Sequence, residues 1–197
     1  RSQELGLGGF PVFTRKAHTD VSYLACARRL LAMTDRIYPQ FATHNAHTCA
    51  AVLAMAQDRD AFEFQRLHGM GEALHRHLMA EEGTRCRVYA PVGAHRDLLA
   101  YLVRRLLENG ANSSFVNQVA DERVAPEVIA ADPFEAVAAS GGAPHPALRA
   151  PLALFEPVRR NSRGYDIGHP ADLDELADGI RPFREYRWQA SASIADA

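Results

Sequence analysis

The sequence has few cysteines, a single lysine and no long apolar run. Its 197 residues contain three cysteines, Cys26, Cys49 and Cys86, which lie far apart. An odd number of widely spaced cysteines argues against a disulfide-framework protein and favours free thiols in a reducing compartment. No stretch reaches the roughly 18 apolar residues of a membrane-spanning helix. Lys16 is the only lysine, so arginine supplies almost all of the positive charge.

The overall composition is that of an ordinary globular protein. Hydrophobic residues make up 47% and charged residues 23% of the chain, which excludes a disordered protein. The net charge of −2 gives no electrostatic argument for a nucleic-acid partner. The N-terminus lacks the charged-then-apolar pattern of a signal peptide. Because the chain begins with Arg1 and not with Met, we expect an internal fragment of a longer protein.

Four short apolar runs alternate with helix-like patterns over the first 110 residues. The runs are Phe10–Phe13, Ile37–Ala42, Phe62–Leu67 and Cys86–Ala90. The helical patterns that follow them cover about 20–32, 48–57, 72–80 and 96–109, the first with Asp20 as its predicted N-cap. Such alternation predicts an α/β fold with a parallel sheet and crossover helices. After residue 117, proline and glycine punctuate the chain, and a helical pattern returns at about 171–180.

The fourth helical pattern carries a polar stripe. Tyr101, Arg104, Arg105 and Glu108 are three or four residues apart, so they share one side of a helix. Two adjacent arginines can each bind a carboxylate or a phosphate in a bidentate manner. The pattern alone also fits a solvated helix face with an Arg–Glu pair, and this alternative stays open.

Polar or unusual residues follow the predicted strands, at the sheet edge where α/β proteins place their chemistry. The first run is followed by Thr14, Arg15 and Lys16. The two cations there fit either a pyrophosphate-binding site or a solvent-exposed loop. Thr43, His44 and Asn45 follow the second run and suit either cofactor contacts or a structural polar turn. His44 and His47 have no third ligand of matching type, so we predict no metal site. Leu67 and Tyr89 lie near the ends of the third and fourth runs, where core packing is the alternative to a site role.

Long segments of the chain resemble the proline dehydrogenase family. They read FPVFTRK, YPQFATHNAH, FEFQRLHGMGE, CRVYAPVGAH and LLAYLVRRLLENGANSSFVNQVAD. A weaker resemblance over Arg160–Asp166 and Trp188–Ala190 is to the 1-pyrroline-5-carboxylate dehydrogenase domain of the family's bifunctional bacterial members, proline utilization A. The resemblance implies that the four runs are strands five to eight, the second half of a TIM-like (βα)8 barrel. It divides the chain into the barrel half (1–135), a linker (136–164) and the truncated, helical start of a second domain (165–197).

The resemblance also implies an activity, a cofactor and a set of site residues. The activity is oxidation of L-proline to 1-pyrroline-5-carboxylate with hydride transfer to FAD, in an enzyme that continues to glutamate with NAD. Arg104 and Arg105 would bind the substrate carboxylate, with Tyr101, Tyr89 and Leu67 around the proline ring. The residues expected to line the FAD are Thr14, Arg15, Lys16, Thr43, His44 and Asn45, with Glu108 near the flavin and the arginines. The NAD site lies outside this sequence.

Further expectations concern partners and location. The family passes its electrons to a membrane quinone, and we expect a cytoplasmic homo-oligomer with peripheral association at the inner membrane. The fragment alone is expected to be inactive, because the residues of the other barrel half are missing. A different class of function stays open at this stage, in which the chain is a non-catalytic α/β module for anion binding or assembly.

Overall fold

The computed structural model describes residues 2–110 and 115–190. The strands are β1 (Gln40–Ala42), β2 (Glu63–Leu67) and β3 (Cys86–Tyr89). The helices are α1 (Lys16–Leu31), α2 (Ala46–Met55), α3 (Glu72–Glu81), α4 (His95–Gly110), α5 (Phe115–Ala120), α6 (Pro126–Ile129), α7 (Pro133–Ala139) and α8 (Pro170–Ile180). Two 3-10 turns lie at Pro151–Ala153 and Arg181–Phe183.

The three strands form one parallel sheet in the order β1-β2-β3. Phe41 pairs with Phe64 across the first ladder, and Arg66 pairs with Val88 across the second. Helices α2 and α3 connect successive strands, as parallel pairing requires. The predicted α/β fold with crossover helices is therefore confirmed for the last three of the four apolar runs.

The prediction of a strand at Phe10–Phe13 is wrong, since this segment has no strand structure. Gly8 and Gly9 precede it, and Pro11 removes one backbone donor from its middle. Val12 is 72% exposed, so the run gains little of the burial that stabilises an apolar strand.

The first helix begins four residues before the predicted start. Arg15 has extended backbone angles and is the N-cap, so the prediction of Asp20 as N-cap is wrong. Lys16 and Asp20 instead form an ion pair of 2.6 Å, one helical turn apart. This pair stabilises the additional first turn.

The core lies where α1, α2 and α3 cover the sheet. Phe62, Phe64 and Val52 are completely buried, and Leu78 is 6% exposed. The ring of Phe62 packs edge-on against Phe64, with the ring centres 5.5 Å apart. Burial of aromatic side chains of this size contributes a large part of the stabilising apolar area.

The chain divides into two compact units, one of residues 15–143 and one of residues 1–14 with 144–197. In the second unit, the segments around Gly6 and Gly164 lie close together. The Gly164 amide donates a hydrogen bond of 3.1 Å to the Gly6 carbonyl. A Cβ atom on Gly164 would lie 2.0 Å from the Leu5 carbonyl oxygen. The predicted division at 135 and 164 stays a prediction, and residues 191–197 of its last segment lie outside the described part.

Among residues 2–110 and 115–190, no helix combines the length and apolar character needed to cross a bilayer.

Candidate functional site

A cleft of about 450 Å³ opens at the carboxyl ends of the three strands. Its volume is in the range of small-molecule sites. The lining residues are Lys16, Thr19, Asp20, Tyr23, Ala42, Thr43, His44, Asn45, Thr48, Gln65, Arg66, Leu67, Met70, Tyr89, Arg105 and Glu108. All of them belong to the unit of residues 15–143.

Eight of the twelve predicted site residues line this cleft. They are Lys16, Thr43, His44, Asn45, Leu67, Tyr89, Arg105 and Glu108. The structure therefore brings together residues from α1, from the ends of all three strands and from α4.

The other four predicted residues do not line the cleft. Tyr101 lies next to it, under the Arg105 guanidinium. Arg104 is on the exposed side of α4. The Nε atom of Arg15 donates a hydrogen bond of 2.9 Å to the Ala143 carbonyl. Thr14 belongs to the other compact unit, where its hydroxyl accepts a hydrogen bond from the His145 amide.

Helix α4 contributes one cation to the cleft, Arg105. One of its terminal nitrogens forms an ion pair of 2.6 Å with Glu108, and its guanidinium carbon lies 5.5 Å from the centre of the Tyr101 ring. Its Nε atom is buried and has no hydrogen-bond partner among the described residues. A buried N–H without an acceptor is costly. An anionic ligand would satisfy this donor.

Tyr89 and Tyr101 form a pair beside this guanidinium. Their side chains are hydrogen-bonded to each other. Burial, followed by the neighbouring Tyr101, raises the pKa of Tyr89. Because its pKa is above the ordinary tyrosine value, the Tyr89 phenol is neutral at neutral pH. It therefore presents an uncharged ring to the cleft.

The turn after β1 is held by its own side chains. The Thr43 hydroxyl accepts a hydrogen bond of 3.1 Å from the Asn45 amide. Asn45 caps α2, since its side-chain oxygen accepts from the amides of His47 at 2.9 Å and Thr48 at 3.4 Å. Asparagine is a favoured N-cap because it satisfies amides that the first helical turn leaves unpaired. The cap fixes where the strand ends and the helix begins.

Several lining residues were not predicted from the sequence. Asp20 and Tyr23 lie on the same side of α1 as Lys16, four and seven residues further on. The helical repeat would have indicated them if the helix had been predicted to begin at Lys16. Gln65 is two residues before Leu67 on β2, and the alternation of a strand places both on one side.

Arg66 is a third cation of the cleft, beside Lys16 and Arg105, and the sequence did not predict it. Its side chain is only 16% exposed, and its ion pair with Glu72 is long at 3.5 Å. A hydrogen bond of the same length reaches the Met70 carbonyl. The sequence pattern gave no signal for it, because arginine is common throughout this chain.

Within the described parts of the chain, no group of three or more histidine, cysteine, aspartate or glutamate side chains is arranged to hold a metal ion.

Comparison with known proteins gives consistent results. The family model described as "Proline dehydrogenase" matches residues 1–118. The bifunctional protein PutA of Klebsiella aerogenes is 48% identical over 204 aligned residues, which cover 96% of this chain. A crystal structure of a Bradyrhizobium japonicum proline utilization A variant is 57% identical, with a TM-score of 0.84 over 92% of this chain. A second bifunctional proline utilization A structure is 55% identical, with a TM-score of 0.85 over the whole chain.

The relatives are much longer than this chain. The aligned region is 16% of the Klebsiella aerogenes protein. It covers 19% and 20% of the two solved chains. The sequence thus corresponds to less than a quarter of the length of each of these relatives.

Proposed function

The chain belongs to the proline dehydrogenase family, and we propose that its cleft is part of a site that oxidises L-proline to 1-pyrroline-5-carboxylate with FAD. The observation that carries the proposal is Arg105, whose guanidinium lies in the cleft with a buried, unsatisfied Nε donor. Nothing in the described residues favours the non-catalytic module over this activity.

We assign β1, β2 and β3 to strands six to eight of a (βα)8 barrel. The parallel pairing and the crossover helices support this. So does the position of the cleft, since TIM barrels carry their sites at the carboxyl ends of the strands. The high TM-scores to solved proline utilization A chains support the same assignment.

Arg105 binds the substrate carboxylate in this proposal. A guanidinium matches a carboxylate in a bidentate geometry and stays charged at all physiological pH values. The buried Nε donor then gains an acceptor, while Glu108 retains the terminal nitrogen. Arg104 remains a predicted second carboxylate ligand, although its side chain is exposed here.

The proline ring lies between apolar and aromatic side chains in this proposal. Leu67 and Tyr89 line the cleft, and Tyr101 holds the Tyr89 hydroxyl. Because Tyr89 is neutral at neutral pH, it borders the substrate without adding charge there. Fixing both the carboxylate and the ring orients the carbon next to nitrogen, which is a contribution from proximity.

The cleft residues fit a flavin cofactor in their chemistry. Lys16 supplies a cation, while Thr43, His44 and Asn45 supply hydroxyl, imidazole and amide groups at the end of β1. FAD supplies the acceptor for the hydride of proline, and the protein supplies binding and orientation. Thr14 and Arg15 stay predicted cofactor contacts, and Glu108 is proposed to lie near the flavin.

The remaining proposals concern the longer protein. We propose that it passes electrons to a membrane quinone, and that a second domain continues to glutamate with NAD. We propose a homo-oligomer in the cytoplasm with peripheral association at the inner membrane. The 197 residues alone are expected to be inactive, since they match only 16% of the Klebsiella aerogenes relative.

The test of the proposal is steady-state proline oxidation by the full-length protein with Arg105→Met. Loss of a hydrogen-bonded charge contact lowers kcat/KM for L-proline by about 10- to 150-fold. Arg105→Lys retains the charge without the fork geometry, so we expect an intermediate loss. Arg104→Met tests the second predicted ligand separately.

Arg96→Met is the matched control, because Arg96 is an exposed arginine at the start of the same helix. We expect its kcat/KM to equal that of the unmodified protein. An Arg105→Met protein that retains full kcat/KM would contradict the carboxylate role.

A further inference from the structure

His75 is a completely buried histidine on α3 that the proposed reaction does not use. Its Nε2 atom lies 2.8 Å from the Thr43 carbonyl oxygen. A carbonyl can only accept, so Nε2 carries the proton and donates. The ring centre lies 5.9 Å from that of Phe64 in the core.

An apolar side chain would fill the same space without burying an unpaired ring nitrogen, but it could not donate to the Thr43 carbonyl. The Nδ1 atom of His75 is buried and has no hydrogen-bond partner among the described residues. An unsatisfied buried polar atom costs about 1–3 kcal/mol. The N–H that reaches Thr43 is therefore the feature that distinguishes histidine from leucine or phenylalanine at this position.

The ring is neutral at neutral pH. Burial lowers the pKa of His75, more than the hydrogen bond to the Thr43 carbonyl raises it. A neutral ring with its proton on Nε2 makes one hydrogen bond, and that bond goes to the end of β1.

Thr43 is held from three directions. Its amide donates to the Gln65 carbonyl at 3.4 Å, which continues the ladder to β2. Its hydroxyl accepts from the Asn45 amide, and its carbonyl accepts from His75. Just before it, the Ala42 carbonyl accepts a bond of 3.4 Å from the Tyr23 hydroxyl. Helices α1 and α3 thus each hold one of two successive carbonyls.

Gly71 brings His44 and His75 close together. A Cβ atom on Gly71 would lie 3.0 Å from the His44 Cβ and 3.3 Å from the His75 ring. Gly71 also has a positive φ of 62°, which favours glycine. The turn after β1 therefore packs directly on the start of α3, with no side chain between them.

We propose that His75 is a positioning residue, which holds the turn 43–45 through the Thr43 carbonyl so that Thr43, His44 and Asn45 face the cofactor. This inference rests on the proposed flavin site. His75 itself does not line the cleft. It acts through the backbone of the residues that do.

The test uses the full-length protein with His75→Leu and His75→Gln. The first removes the donor, and the second offers an amide N–H in place of Nε2. We expect His75→Leu to raise the Kd for FAD by about 5- to 100-fold. Amide hydrogen exchange at residues 45–48 should rise by a similar factor, and His75→Gln should restore most of both. His75→Phe, a ring without a donor, gives the same test if the leucine variant does not fold.

Leu78→Ala is the matched control for loss of packing, since Leu78 is buried on the same helix. It should lower the Tm while leaving the Kd for FAD and the relative exchange at 45–48 unchanged. A folded His75→Leu protein with unchanged Kd and exchange would overturn the inference, as would a glutamine variant as defective as the leucine variant. If the unmodified protein binds no FAD, the proposed function fails, and the exchange measurement alone decides the role of His75.

Discussion

Helices α2 and α3 bury apolar side chains in the core, whereas α4 leaves much of its apolar side exposed. Val52 on α2 is completely buried, and Leu78 on α3 is 6% exposed. On α4, Leu106 is 71% and Leu107 is 70% exposed. The candidate site takes residues from both regions, the turn 43–45 from the first and Arg105 from the second.

The two regions hold their site residues by different means. The turn 43–45 is fixed by a helix cap and by a hydrogen bond from α3, and Ala42 just before it accepts a hydrogen bond from α1. Arg105 is positioned by its ion pair with Glu108 and its contact with Tyr101, both on the same helix. Regions with little buried apolar contact open at lower free energy than the core. Within these 197 residues, several elements hold the turn 43–45, whereas Arg105 is held by residues of its own helix.

The largest expected effect is on the free energy of unfolding. Phe64→Ala removes a buried ring from the core and should cost about 3–5 kcal/mol. Leu106→Ala removes an exposed side chain from α4 and should change stability by no more than about 0.5 kcal/mol. Urea unfolding of the 197-residue chain measures the change in unfolding free energy for both variants. An equal loss in the two variants would contradict the difference in burial between the core and α4.

A smaller effect is expected on the pH dependence of the unfolding free energy, through Glu63. The hydrogen bond from Arg87, above all, lowers the pKa of the Glu63 carboxyl. A carboxyl with a lowered pKa stabilises the fold above its unfolded pKa, and this contribution is lost as pH falls through the folded pKa. Arg87→Met should therefore weaken the acid dependence of the unfolding free energy.

Arg85→Met serves as the control in the same pH series. Arg85 pairs with Asp60 in an exposed ion pair of 2.7 Å, which contributes little to stability. If the unfolding free energy of both variants falls with acid as it does in the unmodified protein, Glu63 does not supply the pH dependence.

The smallest expected effect concerns the ion pair on α4. Arg105 and Glu108 are 35% and 45% exposed, so Glu108→Gln should cost only about 0.2–1 kcal/mol. The same urea titration measures it. A loss as large as that of Phe64→Ala would show that α4 is held as firmly as the core.

The sequence predicted the sheet and half of the residues that line the cleft, because the hydrophobic period and the position after a strand carry that information. Three apolar runs became parallel strands, and the polar residues after β1 reached the cleft as the rule for sheet edges requires. Phe10–Phe13 failed as a strand because apolar character alone does not supply a neighbouring strand, and Pro11 and two glycines oppose one.

The contacts between elements that are distant in the chain could not be predicted from the sequence. His75 reads as one of nine histidines, and only the fold shows its hydrogen bond to Thr43, 32 residues away. Arg66 is similar, since its burial depends on β2, the loop after it and α3 together. Periodicity reports which side of an element a residue lies on, but not which atom of another element it meets.

The most direct test of the proposed site is anaerobic addition of L-proline to the purified full-length protein. We expect the protein to carry the absorption band of oxidised flavin, and proline to bleach that band. In the Arg105→Met protein the band should be present, with the proline concentration for half-bleaching raised by about 10- to 150-fold. A colourless protein, or a flavin band that proline leaves unchanged, would contradict the assignment of the cleft to proline oxidation.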